Sequence, residues 1–134
     1  MLRLYHGLFP NLDEADEREI DGYLAADPNR AVVLVADHEN GKLSGFVEVG
    51  TRDYAEGCSS SPVPYIEAWY VDADVRRSGL GGELLAAAED WARVRGFTEI
   101  ASDTESHNAV SIAAHQALGY EVVETIVCFR RDLK

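Results

Sequence analysis

A strand that passes into a helix through a basic, glycine-rich loop restricts this chain more than any other feature. Tyr65 to Val71 is aromatic and β-branched, the composition of a strand. Arg76, Arg77 and Ser78 follow, then Gly79, Leu80, Gly81 and Gly82. From Gly79 the period becomes helical: Leu80, Leu84, Leu85, Ala88, Trp91 and Ala92 form one apolar stripe, which Arg95-Gly96 ends. Glycines let a backbone approach a ligand closely, and the helix N-terminus aims unpaired N–H groups at it. Two arginines add charge suited to phosphate. Such a loop cradles a pyrophosphate, although a glycine-rich turn without a ligand has the same composition. A dinucleotide-binding fold would want G-x-G-x-x-G and a P-loop would want Gly-Lys-Ser/Thr; neither occurs here.

The flanking sequence extends this unit into an α/β domain. Leu2 to Phe9 reads as a short helix stopped by Pro10, and Asp13 to Ala26 as an acidic amphipathic helix ending at Asp27-Pro28. Ala31 to Ala36 is a valine-rich apolar run, hence a buried strand. Asn40-Gly41 marks a tight turn, and the alternation from Leu43 to Thr51 completes a hairpin. Ala55 to Pro64 is a Ser-, Gly- and Pro-rich loop. Beyond the Gly79 helix come a short strand at Thr98 to Ser102, a helix from Asn108 to Leu118 closed by Gly119, and a final strand from Tyr120 to Arg130. The order αα, ββ, β-α-β-α-β predicts a mixed central sheet flanked by helices, in a single domain over residues 1–134.

Charge narrows the partners. Twelve basic residues against twenty-four acidic ones give −12 and a pI near 4.6. That field repels nucleic acid and anionic lipid and attracts polycations, although solubility alone would also account for it. No apolar run is long enough to span a membrane, and the first residues lack a secretory pattern. Cys58 and Cys128 match no metal spacing, which together with the missing signal favours the cytoplasm. The four histidines, His6, His38, His107 and His115, show no ligand spacing, so no metal is expected.

The run Arg76-Arg77-Ser78-Gly79-Leu80-Gly81 resembles the acetyl-CoA signature of GCN5-related N-acetyltransferases (GNAT), Arg/Gln-x-x-Gly-x-Gly/Ala between a strand and a helix. Asn108, Ser111, His115 and Gly119-Tyr120 resemble the family's second motif. Within the family the likeness is greatest to aminoglycoside 6′-N-acetyltransferases. It is carried by Arg52-Asp53-Tyr54, Gly57 to Val63, Ala101 to Thr104, His115 to Tyr120 and Val127 to Arg130. Two departures accompany it. The family opens with a strand ahead of its first helix, so a GNAT fold with that strand missing is expected, leaving Ala31 to Ala36 at an edge. The subgroup also tends to have a tryptophan where Leu8-Phe9-Pro10 stands, and Phe9 lacks its N–H donor.

The resemblance implies acetyl-CoA as co-substrate, held by Arg76, Arg77, Ser78, Gly79, Leu80, Gly81 and Gly82, with Asn108 on the pantetheine arm. Backbone N–H of Tyr70 or Val71 would meet the acetyl carbonyl. Asn108 could equally cap its helix. Transfer to an amine requires a neutral amine, and an alkyl ammonium has a reference pKa of about 10.4; a carboxylate can hold it and take its proton, directly or through a water. Asp103 stands at the carboxyl end of a strand, where ligands collect. The subgroup likeness makes it the base, against a plain helix cap. Glu67, acidic on an apolar strand, needs a partner, either a substrate ammonium or a buried salt bridge. His115 falls where family members protonate the leaving thiolate, though a solvent-facing histidine would look the same. Tyr54 and Glu124 match substrate-contacting positions of the subgroup or are plain surface.

Acetylation of the 6′-amine of aminoglycosides is therefore the expected function. The same fold could instead serve a polyamine or a protein lysine, or bind acetyl-CoA without catalysis. Dimers are common in the subgroup, and an edge strand adds a reason to expect a homodimer.

Overall fold

β-Branched residues in alternation build the first pair of strands. In the computed structural model, which describes residues 30–37, 43–72, 76 and 79–134, β1 (Val32–Asp37) and β2 (Leu43–Arg52) run antiparallel, with Val33 opposite Glu48 and Val35 opposite Phe46. The expected hairpin strands are thus present. The Asn40-Gly41 turn lies outside the described residues, as do the helices expected at Leu2 to Phe9 and Asp13 to Ala26. β3 (Val63–Val71) pairs antiparallel with β2 and starts two residues before the predicted Tyr65. β4, only Ala101–Ser102, lies parallel to β3, so the sheet is mixed, in the order β1-β2-β3-β4.

The helix after the glycine loop, α1 (Leu80–Val94), lies across β1, β2 and β3. Leu84, Leu85, Ala88, Trp91 and Ala92 are buried, the stripe expected from the sequence less its first member, Leu80. In the sheet Val33, Phe46, Val47 and Val49 are buried as well. Burying each large side chain of such a set contributes about 1.5–3 kcal/mol. A smaller cluster of Ala55, Val63 and Tyr65, with Cys58 and Ala101 against it, lies by the loop that joins β2 to β3.

The chain divides after Asp103 into two compact units. The second contains α2 (Ala109–Ala117), capped by Asn108 and followed by Gly119 at φ 90°. The predicted final strand from Tyr120 to Arg130 is not formed among the described residues of this unit. A strand exists only where its N–H and C=O groups meet a neighbouring strand's. Within this unit the described residues offer none, and Glu121 to Lys134 is exposed throughout.

Candidate active site

The register of β3 singles out one residue. Ala68 lies opposite Glu48 and Ile66 opposite Val49, so Glu67 is the extra residue of a β-bulge. A bulge re-aims its side chain and disrupts local pairing. Accordingly Val63 to Ile66 are buried while Glu67 is exposed. β4 ends at the same level. Its pairings are Tyr65 with Ala101 and Ile66 with Ser102, after which the chain leaves the sheet at Asp103. From Glu67 to Val71, β3 has β2 on one side and no β4 on the other.

Four side chains meet at this opening. Arg52, the last residue of β2, donates from Nε to Glu67 Oε1 at 2.9 Å and from Nη2 to Oε2 at 2.7 Å. Its guanidinium also lies 3.5 Å from the centre of the Tyr65 ring. The Tyr65 hydroxyl donates to Asp103 Oδ2 at 2.7 Å. The two carboxylates singled out by sequence are therefore linked through an arginine and a tyrosine, and they differ. Glu67 has both oxygens engaged by a full positive charge. Asp103 has one oxygen on a neutral hydroxyl. The partner that Glu67 needs is a protein cation, and the pair is exposed rather than buried, with side-chain accessibilities of 43% and 31%. Burial first, then the bond to Asp103, pushes the Tyr65 phenol well above its ordinary range. The hydrogen bond to Glu67 raises the Arg52 guanidinium further.

The loop before β3 has its own anchor. Glu99 Oε1 accepts from the backbone N–H of Ser59 at 2.9 Å and Ser60 at 2.7 Å, and from the Ser60 hydroxyl at 2.5 Å. The Ser60 side-chain and backbone bonds hold the Glu99 carboxyl below the usual range. Tyr54, at the start of this loop, is 68% exposed, open to an acceptor but not committed to one.

At the far end of β3 stands the glycine loop. Gly79 takes φ 87° immediately before α1, a conformation L side chains rarely adopt, and Glu83 N–H donates to its carbonyl. The next N–H groups have no acceptor within the helix, which makes them donors for an anion. Gly81 is constrained differently: a Cβ there would lie 3.1 Å from the Trp69 ring, whose Nε1 donates to Gly81 O at 3.2 Å. Its small size serves helix–sheet packing, whatever else occupies the loop. Arg76 is exposed and donates from Nε to Val71 O at 3.0 Å. Arg77 and Ser78 lie outside the described residues; Leu80 and Gly82 are half-buried in the first turn of α1. Tyr70 and Val71, half-buried, end the open edge of β3.

The second unit contains the remaining candidates. Asn108 Oδ1 accepts from Ser111 N–H at 3.1 Å, so the helix-capping role is realised. Since Asn108 is that cap, Asp103 is not. His115 Nδ1 is 2.7 Å from Ser111 O; a carbonyl only accepts, so Nδ1 carries the hydrogen. Its ring meets Tyr120 edge-on at 5.8 Å. Glu124 is exposed. Among the described residues no group of three or more His, Cys, Asp or Glu could hold a metal. Sequence reasoning assigned no role to Arg52 or Tyr65. Arg52 stands in a quoted run and Tyr65 opens the expected strand, but their contacts follow from the β2–β3 register.

Known proteins share this architecture. The profile of the Acetyltransferase (GNAT) family matches residues 1–120. An aminoglycoside N(6′)-acetyltransferase type 1 of Klebsiella aerogenes is 45% identical over 118 residues, 87% of this chain and 78% of its own. One from Serratia marcescens is 35% identical over 133 residues, 98% of this chain and 90% of its own. Among solved structures, AAC(6′)-Iy in complex with the bisubstrate analog CoA-S-monomethyl-acetylneamine superposes with a TM-score of 0.88 at 31% identity, covering 98% of this chain and 89% of that one. AAC(6′)-Ih from Acinetobacter baumannii gives 0.87 at 30% identity, covering 99% and 90%.

Proposed function

The chain belongs to the GNAT acetyltransferase family, and from that premise we propose that it acetylates the 6′-amine of aminoglycosides with acetyl-CoA. The observation that carries this reading is Asp103, a carboxylate held through one oxygen beside the open half of β3. Relatives at 35–45% identity named as aminoglycoside N(6′)-acetyltransferases support the acceptor.

The residues fit the co-substrate. Gly79 turns the chain into a helix whose first N–H groups suit a pyrophosphate, and Arg76, Arg77 and Ser78 precede it. Leu80, Gly81 and Gly82 complete that turn, and Asn108 serves the pantetheine arm. When bound, acetyl-CoA supplies a thioester whose carbonyl carbon takes the amine nitrogen as the C–S bond breaks. Tyr70 or Val71 N–H steadies the acetyl carbonyl. Asp103 draws in the 6′-ammonium, orients it and receives its proton. Glu67, matched by Arg52, contributes negative field rather than basicity, and Tyr54 and Glu124 extend the acceptor surface. His115, whose Nδ1 hydrogen is held by Ser111 O, takes a second proton from solvent at Nε2 and passes it to the departing thiolate, a minor aid because a thiol's reference pKa is only about 8.5.

The protein works in the cytoplasm, consistent with the free thiols of Cys58 and Cys128. It pairs as a homodimer. Covering apolar residues such as Phe129, 91% exposed, would favour association, and light scattering decides the mass. No described helix is long and apolar enough to cross a membrane.

The test is product analysis. A 6′-amino aminoglycoside with acetyl-CoA should gain one acetyl group at the 6′ nitrogen. An otherwise similar drug with a 6′ hydroxyl should not react there. Acetylation at another position would discard the 6′ assignment, and turnover of polyamines or protein lysines alone would replace the acceptor class.

A further inference from the structure

A buried strand tyrosine whose hydroxyl is spent on an exposed carboxylate asks for an explanation. Tyr65 is 3% exposed, and its ring packs with Ala55 and Val63. Phenylalanine would fill that space without a hydroxyl that costs free energy to bury unless it is bonded. Here the bond goes to Asp103 Oδ2 at 2.7 Å.

We propose that Tyr65 is a positioning residue for acetyl transfer: its hydroxyl fixes Asp103 through Oδ2, keeping Oδ1 for the acceptor's ammonium. This rests on the function proposed above. Asp103 stands one residue beyond β4, where the backbone leaves the sheet and no ladder restrains it. An unrestrained side chain distributes over about three staggered wells at χ1. The anchor itself is rigid. Tyr65 is paired with Gly50 on one side and Ala101 on the other, so its backbone is fixed from both strands. The Arg52 guanidinium, set by its two bonds to Glu67, grips the ring. The charged groups around the phenol are Asp103 after β4, Arg52 on β2 and Glu56 in the preceding loop. Burial and Asp103 push the phenol well up, so it remains a neutral donor across the physiological range.

A double-mutant cycle with Tyr65→Phe and Asp103→Asn tests this in the full chain, with kcat and both KM values measured for a 6′-amino aminoglycoside and acetyl-CoA. Tyr65→Phe should lower kcat about threefold, the scale of restoring three rotamers, and leave the acetyl-CoA KM unchanged. In the Asp103→Asn background the same substitution should cost nothing further, since its route of action is gone. An unchanged kcat in Tyr65→Phe overturns the proposal, and so does an equal loss in both backgrounds. If Tyr65→Phe does not fold, tyrosinate absorbance decides: Asp103→Asn should let one tyrosine ionise at lower pH than in the wild type, and an unchanged titration overturns the proposal. Failure of the wild type to acetylate any amine would instead sink the functional reading, and the titration would still report on the contact.

Discussion

The two halves of β3 belong to one strand and have opposite surroundings. Val63 to Ile66 lie between β2 and β4 and are buried. From Glu67 to Val71 the strand pairs, among the described strands, with β2, and its residues are exposed or half-buried. One half is a closed ladder whose groups are satisfied by neighbours. The other is an open ladder with a bulge at its start, two carboxylates beside it and a helix N-terminus at its end. Chemistry collects where the sheet stops being complete, because only there are oriented polar groups available to something other than protein.

If that division is right, substitutions should separate cleanly by half. The largest effect belongs to Asp103→Asn at the boundary, where kcat should fall about 10²–10⁴-fold, the range for losing a general base, with the thermal melt little changed. His115→Ala should cost under about tenfold, since the thiolate leaves fairly well unaided. The reverse order would break the assignment of roles.

In the closed half, Ile66→Ala should destabilise the protein by about 2–5 kcal/mol in urea unfolding, because Ile66 is 4% exposed. Its neighbour Glu67 belongs to the open half. Glu67→Gln should cost at most about 1 kcal/mol, as for an exposed ion pair. Equal costs would mean that the bulge does not divide the strand.

Acceptor binding should weaken with salt. The chain carries −12 in formal charge, and attraction of a polycation is screened beyond about 8–10 Å at physiological ionic strength. A few-fold rise in acceptor KM between low and physiological salt is expected, with acceptor KM flat in salt as the contrary result.

The smallest effect concerns the loop beside the closed half. The folded-state pKa of Glu99 is depressed by Ser60 and Ser59, so its contribution is present above the unfolded value and lost as pH falls through the folded one. Protease susceptibility at Gly57 to Pro62 should therefore rise below the carboxylate range, and Glu99→Gln should abolish that dependence.

Periodicity made much of the fold legible. The hairpin strands, the β3–loop–α1 unit and all but one member of the α1 stripe follow from apolar spacing and glycine placement. Pairing is what periodicity does not contain. Tyr120 to Arg130 has the alternation of a strand, yet among the described residues of its own unit no strand lies beside it, and Glu121 to Arg130 is exposed. The same limit hid the anchors of the site. Asp103 and Glu67 stood out as acids on strands, but Arg52 reaches Tyr65 and Glu67 only because of how β2 and β3 align around the bulge. Local motifs are also ambiguous where two uses share one residue. Asn108 reads as a ligand contact and forms a cap, and the space beside Gly81 is bounded by Trp69.

Hydrogen exchange along β3, with and without CoA, tests the account most directly. Tyr65 and Ile66, paired on both sides, should be protected already and unchanged by CoA. New protection should appear within Glu67 to Val71 and in the first turn of α1 from Leu80. Protection spread evenly along β3, or confined to segments away from both, would contradict the claim that the open half of the strand is the site.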